Sequence, residues 1–270
     1  MVMIKTRSLY GFIVVIAIVG AGRALSIGTT MNVYAQNITT PVTQQQQNQT
    51  DDPSTSLSTG QTTTEGWITS FDLENCDFVS SGENSYFILI PGYQVILGGQ
   101  EDGEEPELVM TVLNETKVVD GIETRVVEEK ETEGGNMVEV SRNYFAMCGP
   151  TNNAIYFGED VDMYEDGKIV SHEGAWLAGE NGSKAGMIMP GKDEVGLKYY
   201  QEIAPGVAED RAEIISVNDT LDTPAGTFKQ VLKTEETNAL QPGEKEFKFY
   251  APGIGLIQDE AIKLVNYTKP

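Results

Sequence analysis

Histidine is almost absent from this sequence: His172 is the only one. That excludes paired-histidine metal motifs such as H-E-x-x-H. No G-x-S-x-G elbow offers His172 a nucleophile to activate, and the neighbouring Ser171 falls on the opposite face of any strand that holds both. Basic residues are also scarce, with 18 Lys and Arg against 41 Asp and Glu and a formal net charge of −23. A nucleic-acid surface needs a positive footprint, and an anionic membrane surface repels a chain so acidic. The two cysteines, Cys76 and Cys148, are too few and too far apart for a zinc site, which takes closely spaced ligand pairs. No twelve-residue stretch keeps an amphipathic helical period. The charge-free run over residues 9–22 falls short of the roughly 20 residues that span a bilayer.

What is present begins with that run. Lys5 and Arg7 precede it, Arg23 closes it, and Val33-Tyr34-Ala35 offers a small-residue cleavage pattern. Residues 1–35 therefore read as a signal peptide, either cleaved after Ala35 or kept as an N-terminal anchor. Residues 36–65 are built from Thr, Gln, Ser, Asn and Asp, a composition that cannot offset its chain entropy by burial, and they read as a disordered spacer. Residues 66–270 are long enough for one domain with a full core. Both readings of the N-terminus place that domain outside the cytoplasm, secreted or on the outer face of the cytoplasmic membrane. An anchor would be its one contact with the membrane. In that compartment Cys76 and Cys148 are expected to form a disulfide. Six N-x-Ser/Thr sequons, at Asn37, Asn48, Asn114, Asn181, Asn218 and Asn266, are candidate glycosylation sites on exposed loops or edges.

From residue 86 onward, alternation and short apolar runs are punctuated by turn signals. Strands are expected over 86–90, 93–97, 108–119, 122–131, 137–147, 154–164 and 168–176. Asp120-Gly121, Gly134-Gly135 and Asp166-Gly167 turn between them. The second half predicts strands over 199–203, 211–217, 227–234, 246–250 and 254–267, with a short helical turn over 205–211. The predicted fold is mainly β: a single large antiparallel meander sheet curved into an open or half barrel.

Two sets of residues are candidates for a site. Asp160, Asp162 and Asp166, in an acidic cluster with Glu159 and Glu165, are candidate calcium ligands. The run from Asp162 to Glu173 matches an EF-hand loop in part, but Tyr164 and Val170 stand where ligands should be, and the flanks read as strands. No other cofactor is expected. Tyr156, Tyr164, Trp176, Tyr200 and Tyr250 are candidates to line an apolar or sugar-binding cleft. Tyr156-Phe-Gly-Glu-Asp160, Tyr164-Glu-Asp-Gly167, Thr223-Pro-Ala-Gly226 and Tyr250-Ala-Pro-Gly-Ile-Gly255 resemble a signature of uncharacterised secreted β-rich proteins of bacteria and archaea. More distantly, they are similar to periplasmic open-barrel proteins shaped like lipoprotein carriers. The resemblance implies a sheet around a hydrophobic groove and carries no catalytic residues. The expected function is a non-enzymatic binding or envelope protein, holding an apolar small molecule or an envelope protein on its concave face. The alternatives are a surface structural protein and a hydrolase using two carboxylates.

Overall fold

The structure, a computed structural model, describes residues Ile4–Arg7, Ile13–Ile16, Gln61–Thr64, 66–100 and 103–270. Strands β1 (Ile4–Arg7) and β2 (Ile13–Ile16) pair with each other alone. Strand β3 (Gln61–Thr64) pairs with β4 (Trp67–Phe71). Otherwise the segments read as targeting peptide and spacer lie outside the described residues. That β3 enters a strand although its residues read as spacer has a simple cause. The ladder supplies hydrogen bonds to any backbone, and β4 provides the apolar side chains Ile68 and Phe71 that enter the core. The one helical element among the described residues is a 3₁₀ turn, Leu73–Asn75.

Short strands follow: β5 (Phe78–Val79), β6 (Gly82–Glu83) and β7 (Ile88–Leu89). A long meander then runs through β8 (Gln94–Gly98), β9 (Pro106–Val119), β10 (Ile122–Glu133), β11 (Asn136–Cys148) and β12 (Asn153–Glu165), each antiparallel to the next. The hairpins fall where the turn residues predict. Asp120-Gly121, Gly134-Gly135 and Asp166-Gly167 all take positive φ, the backbone that a two-residue hairpin requires. Strands β13 (Lys168–Ser171), β14 (Trp176–Leu177) and β15 (Gly186–Met189) all pair back onto β12. A second meander comprises β16 (Lys198–Tyr200), β17 (Asp210–Thr223), β18 (Gly226–Asn238), β19 (Glu246–Ala251), β20 (Gly255–Asp259) and β21 (Ile262–Thr268).

The two meanders join through the antiparallel pair β21–β8, so the last strand of the chain lies beside an early one. The fold is thus mainly β, one large and chiefly antiparallel sheet; β16 and β4 make a parallel contact. It curls until its ends approach, where an isolated bridge between Lys184 and Ile203 spans them. At that seam Gly186 is obligatory: a Cβ there would sit 2.0 Å from the carbonyl oxygen of Gln201.

Two sequence expectations are corrected. Residues 254–267 are two strands, because the chain reverses at Glu260 with φ 46°. A Glu in a left-handed turn carries no Gly, Asn or Pro signal. Residues 205–211 form no helix but a tight reversal closed by the bridge Ala204–Ala208. The disulfide Cys76–Cys148 is formed, with Cα atoms 4.9 Å apart, and ties the N-terminal segment to the end of β11. Among the described residues no helix is long and apolar enough to cross a membrane.

Candidate functional site

The site arises from one property of the long strands: their inward positions change from apolar to charged along the strand. On β10 the inward residues are Val127, Glu129 and Glu131, and on β11 they are Phe145, Asn143, Ser141 and Glu139. On β18 they run Leu232, Thr234, Glu236, Asn238, and on β19 Tyr250 is followed inward by Lys248. Cross-strand register aligns these steps. Leu232 stands opposite Tyr250, Thr234 opposite Lys248, and Lys248 opposite Asp259. The interior therefore has an apolar end and an acidic end.

The apolar end contains a cavity of about 60 Å³, lined by Tyr93, Val95, Leu108, Val112, Val127 and Phe145 among others, with Lys248 and Asp259 at its polar limit. At that limit the ammonium of Lys248 lies 3.2 Å from Glu236 and 3.6 Å from Asp259. Burial disfavours the lysine's charge, but Asp259 and Glu236 outweigh this and hold its pKa well above the ordinary lysine range. Burial pushes Asp259 up to about 8, Lys248 opposing only in part. Lys248 and Glu236 thus form the ion pair, and Asp259 beside them is mostly neutral at pH 7. The hydroxyl of Tyr250 donates to Glu236 at 3.3 Å.

The acidic end continues from there. Glu202 is buried, and burial, then Asp210 and Glu159, raise its pKa well above the carboxylate range. Burial raises Asp210 to about 6 even though it accepts a hydrogen bond from Glu202. Glu159 is raised by burial and by Glu139 and Glu129. Of the two, Glu202 holds a proton more firmly than Asp210, and as a coupled pair they can share one proton in place. These carboxyls border a second, smaller cavity of about 20 Å³. None of the residues lining it is aromatic, so it lacks the stacking platform of a sugar-cleaving cleft.

The candidates picked from the sequence are scattered. Tyr250 lines the apolar cavity. Tyr156 is buried, stacks on Phe145 and meets the edge of Trp176, and its hydroxyl bonds Asn143. Tyr200 lies outside against Trp67, with the Arg211 guanidinium over both rings. Tyr164 is half-buried on β12 near its hairpin end. Asp160 accepts from Tyr144 and pairs with Lys117 at 3.1 Å. Asp162 pairs with His172 at 2.9 Å, and Asp166 sits in the hairpin turn. Among the described residues no group of three or more His, Cys, Asp and Glu is placed to hold a metal ion. Asn114, Asn181, Asn218 and Asn266 are all exposed, while Asn37 and Asn48 lie outside the described residues.

The inward residues Glu129, Glu202, Asp210, Glu236, Asp259 and Lys248 were not singled out from the sequence, and Glu159, named there in the acidic cluster, is buried away from Asp160, Asp162 and Asp166. A signal did exist: the inward phase set by Leu232 and Tyr250, carried forward by twos, leads to Glu236 and Lys248. The general rule that charged residues face water works against it. No family model, no curated protein and no solved structure matches this chain.

Proposed function

We propose that the chain is an extracytoplasmic, non-enzymatic binding protein whose curved sheet holds the apolar part of a small molecule inside, against a polar limit formed by Lys248 and Asp259. The observation that carries this reading is the cavity at the apolar end of the interior, bounded by side chains from both meanders and ended by the buried polar groups of Lys248 and Asp259. Ligand sites are typically concave, mostly apolar and supplied with a few convergent polar groups. Its size bounds the occupant. An apolar cavity of about 150 Å³ stays dry and takes up benzene, so this smaller one suits a short alkyl segment rather than a ring or a whole lipid. The disulfide and the exposed sequons agree with an export route.

The test is native mass spectrometry of the protein purified from its own host, beside a Val127→Trp variant that fills the cavity. The expected result is a co-purifying small-molecule mass that the variant loses. A bare polypeptide mass from host cells, short only of the two disulfide hydrogens and heavier only by glycans, overturns the reading.

A further inference from the structure

The small cavity at the acidic end opens beside the ends of β16, β17 and β18. Gln201, Glu202, Asp210, Glu236 and Asn238 line its inner part, and Glu244 is exposed at its mouth. Four of the inner residues are less than a tenth exposed and carry polar atoms without a hydrogen-bond partner: Gln201 Oε1, both oxygens of Glu202, Asp210 Oδ2 and Asn238 Nδ2. The amide orientations are set by their other halves. Gln201 Nε2 donates to Glu236 Oε1 at 3.2 Å, and Asn238 Oδ1 accepts from the backbone N–H of Leu240 at 2.7 Å. Gln201 therefore presents an acceptor. Asn238, opposite Asp210 in the ladder, presents the one donor among these four residues. One proton shared between Glu202 and Asp210 satisfies one oxygen of Glu202 and leaves its other oxygen unmet beside Gln201 Oε1, while the Asp210 oxygen that accepts it keeps a second lone pair. A buried acceptor left unmet costs about 1–3 kcal/mol, which a donor-rich occupant removes.

We propose that this chamber binds the ammonium head of a small primary amine, with Gln201 Oε1, Glu202 and Asp210 as its acceptors. Three observations fit that class. An ammonium group offers three donors and no acceptor, and the chamber offers acceptors from three side chains. The volume of about 20 Å³ admits roughly one water-sized group, which matches an ammonium and excludes a guanidinium or a quaternary amine. The charge also favours a cation. Burial raises both Glu202 and Asp210 and Lys248 answers Glu236, while Glu244 and Glu246 line the outer part of the same chamber, so the balance of charge there is negative. A metal ion is the less suitable cation, since among the described residues no three His, Cys, Asp or Glu side chains are placed to hold one. Glu244 and the half-buried Glu246 on the approach give an entering cation a favourable field.

The experiment is a titration of the ¹⁵N-labelled protein at pH 7 with methylammonium chloride, following the side-chain amide signals of Gln201 and Asn238. Sodium chloride and tetramethylammonium chloride serve as controls for ionic strength and size. The expected result is a saturable shift with methylammonium alone, weakened at least tenfold in Asp210→Asn. Equal or unsaturable shifts with all three salts, or undiminished binding in the variant, overturn the proposal. If Asp210→Asn does not fold, Gln201→Ala replaces it: weakened binding, followed on Asn238, supports the proposal and unchanged binding overturns it. Methylammonium has no apolar body, so the result does not depend on the larger cavity, and failure here leaves the binding reading of that cavity standing.

Discussion

The Lys248 ammonium lies 3.2 Å from a carboxylate oxygen of Glu236, and the two residues belong to different cavities. Lys248 lines the apolar one and Glu236 the acidic one, so this buried ion pair lies between them, together with Ile188, which lines both.

That pair should be sensitive to the loss of one partner. Lys248→Met leaves Glu236 buried without its counter-charge, and breaking a buried pair in this way costs about 3–5 kcal/mol. Urea unfolding should show a loss of that order. The triple variant Lys248→Met, Glu236→Gln, Asp259→Asn should recover much of it, because the low-dielectric interior then holds no unmatched charge. A triple variant no more stable than the single one would contradict this account.

Stability should fall, not rise, between pH 4 and pH 8. Asp210 and Asp259 have folded-state pKa values of about 6 and about 8, above the unfolded value near 4. The native state therefore holds more protons than the unfolded chain in that window, and ΔG of unfolding declines with pH. The contribution is complete below about pH 4 and is lost as pH passes each folded value. The general repulsion of so acidic a chain acts in the same direction, so the informative quantity is a difference. Asp259→Asn should flatten the decline between pH 6 and 8 relative to the unsubstituted protein, as read from urea midpoints across the range.

The seam of the sheet offers a steric test. Gly186→Ala drives a methyl into the carbonyl of Gln201 and should cost about 1–3 kcal/mol, the range for overpacking. Gly121→Ala, in a hairpin turn with φ 80° and nothing within 4 Å of the added carbon, should cost nearer 1 kcal/mol through backbone strain alone. Thermal unfolding of the two variants should rank them in that order.

Reduction of Cys76–Cys148 releases a link that spans 72 residues. On chain-entropy grounds the loss is about 4 kcal/mol. Unfolding midpoints with and without reductant, compared with a Cys76→Ala, Cys148→Ala variant, should agree with each other and lie well below the oxidised protein.

The sequence by itself determined the strands, their hairpins and the disulfide. Asp120-Gly121, Gly134-Gly135 and Asp166-Gly167 are local instructions, since only a few residue types adopt positive φ cheaply, and period-two alternation needs only neighbouring residues. The reversal at Glu260 escaped because no such residue marks it. What only the tertiary structure decided is which face of each strand is inside at its polar end. Glu129, Glu202, Glu236 and Lys248 look like solvated charges one strand at a time. They become an interior layer once β21 pairs with β8 and the sheet curls on itself. Long-range register sets that curvature, and burial then raises the pKa values of Glu202, Asp210 and Asp259 and brings Lys248 into its pair with Glu236.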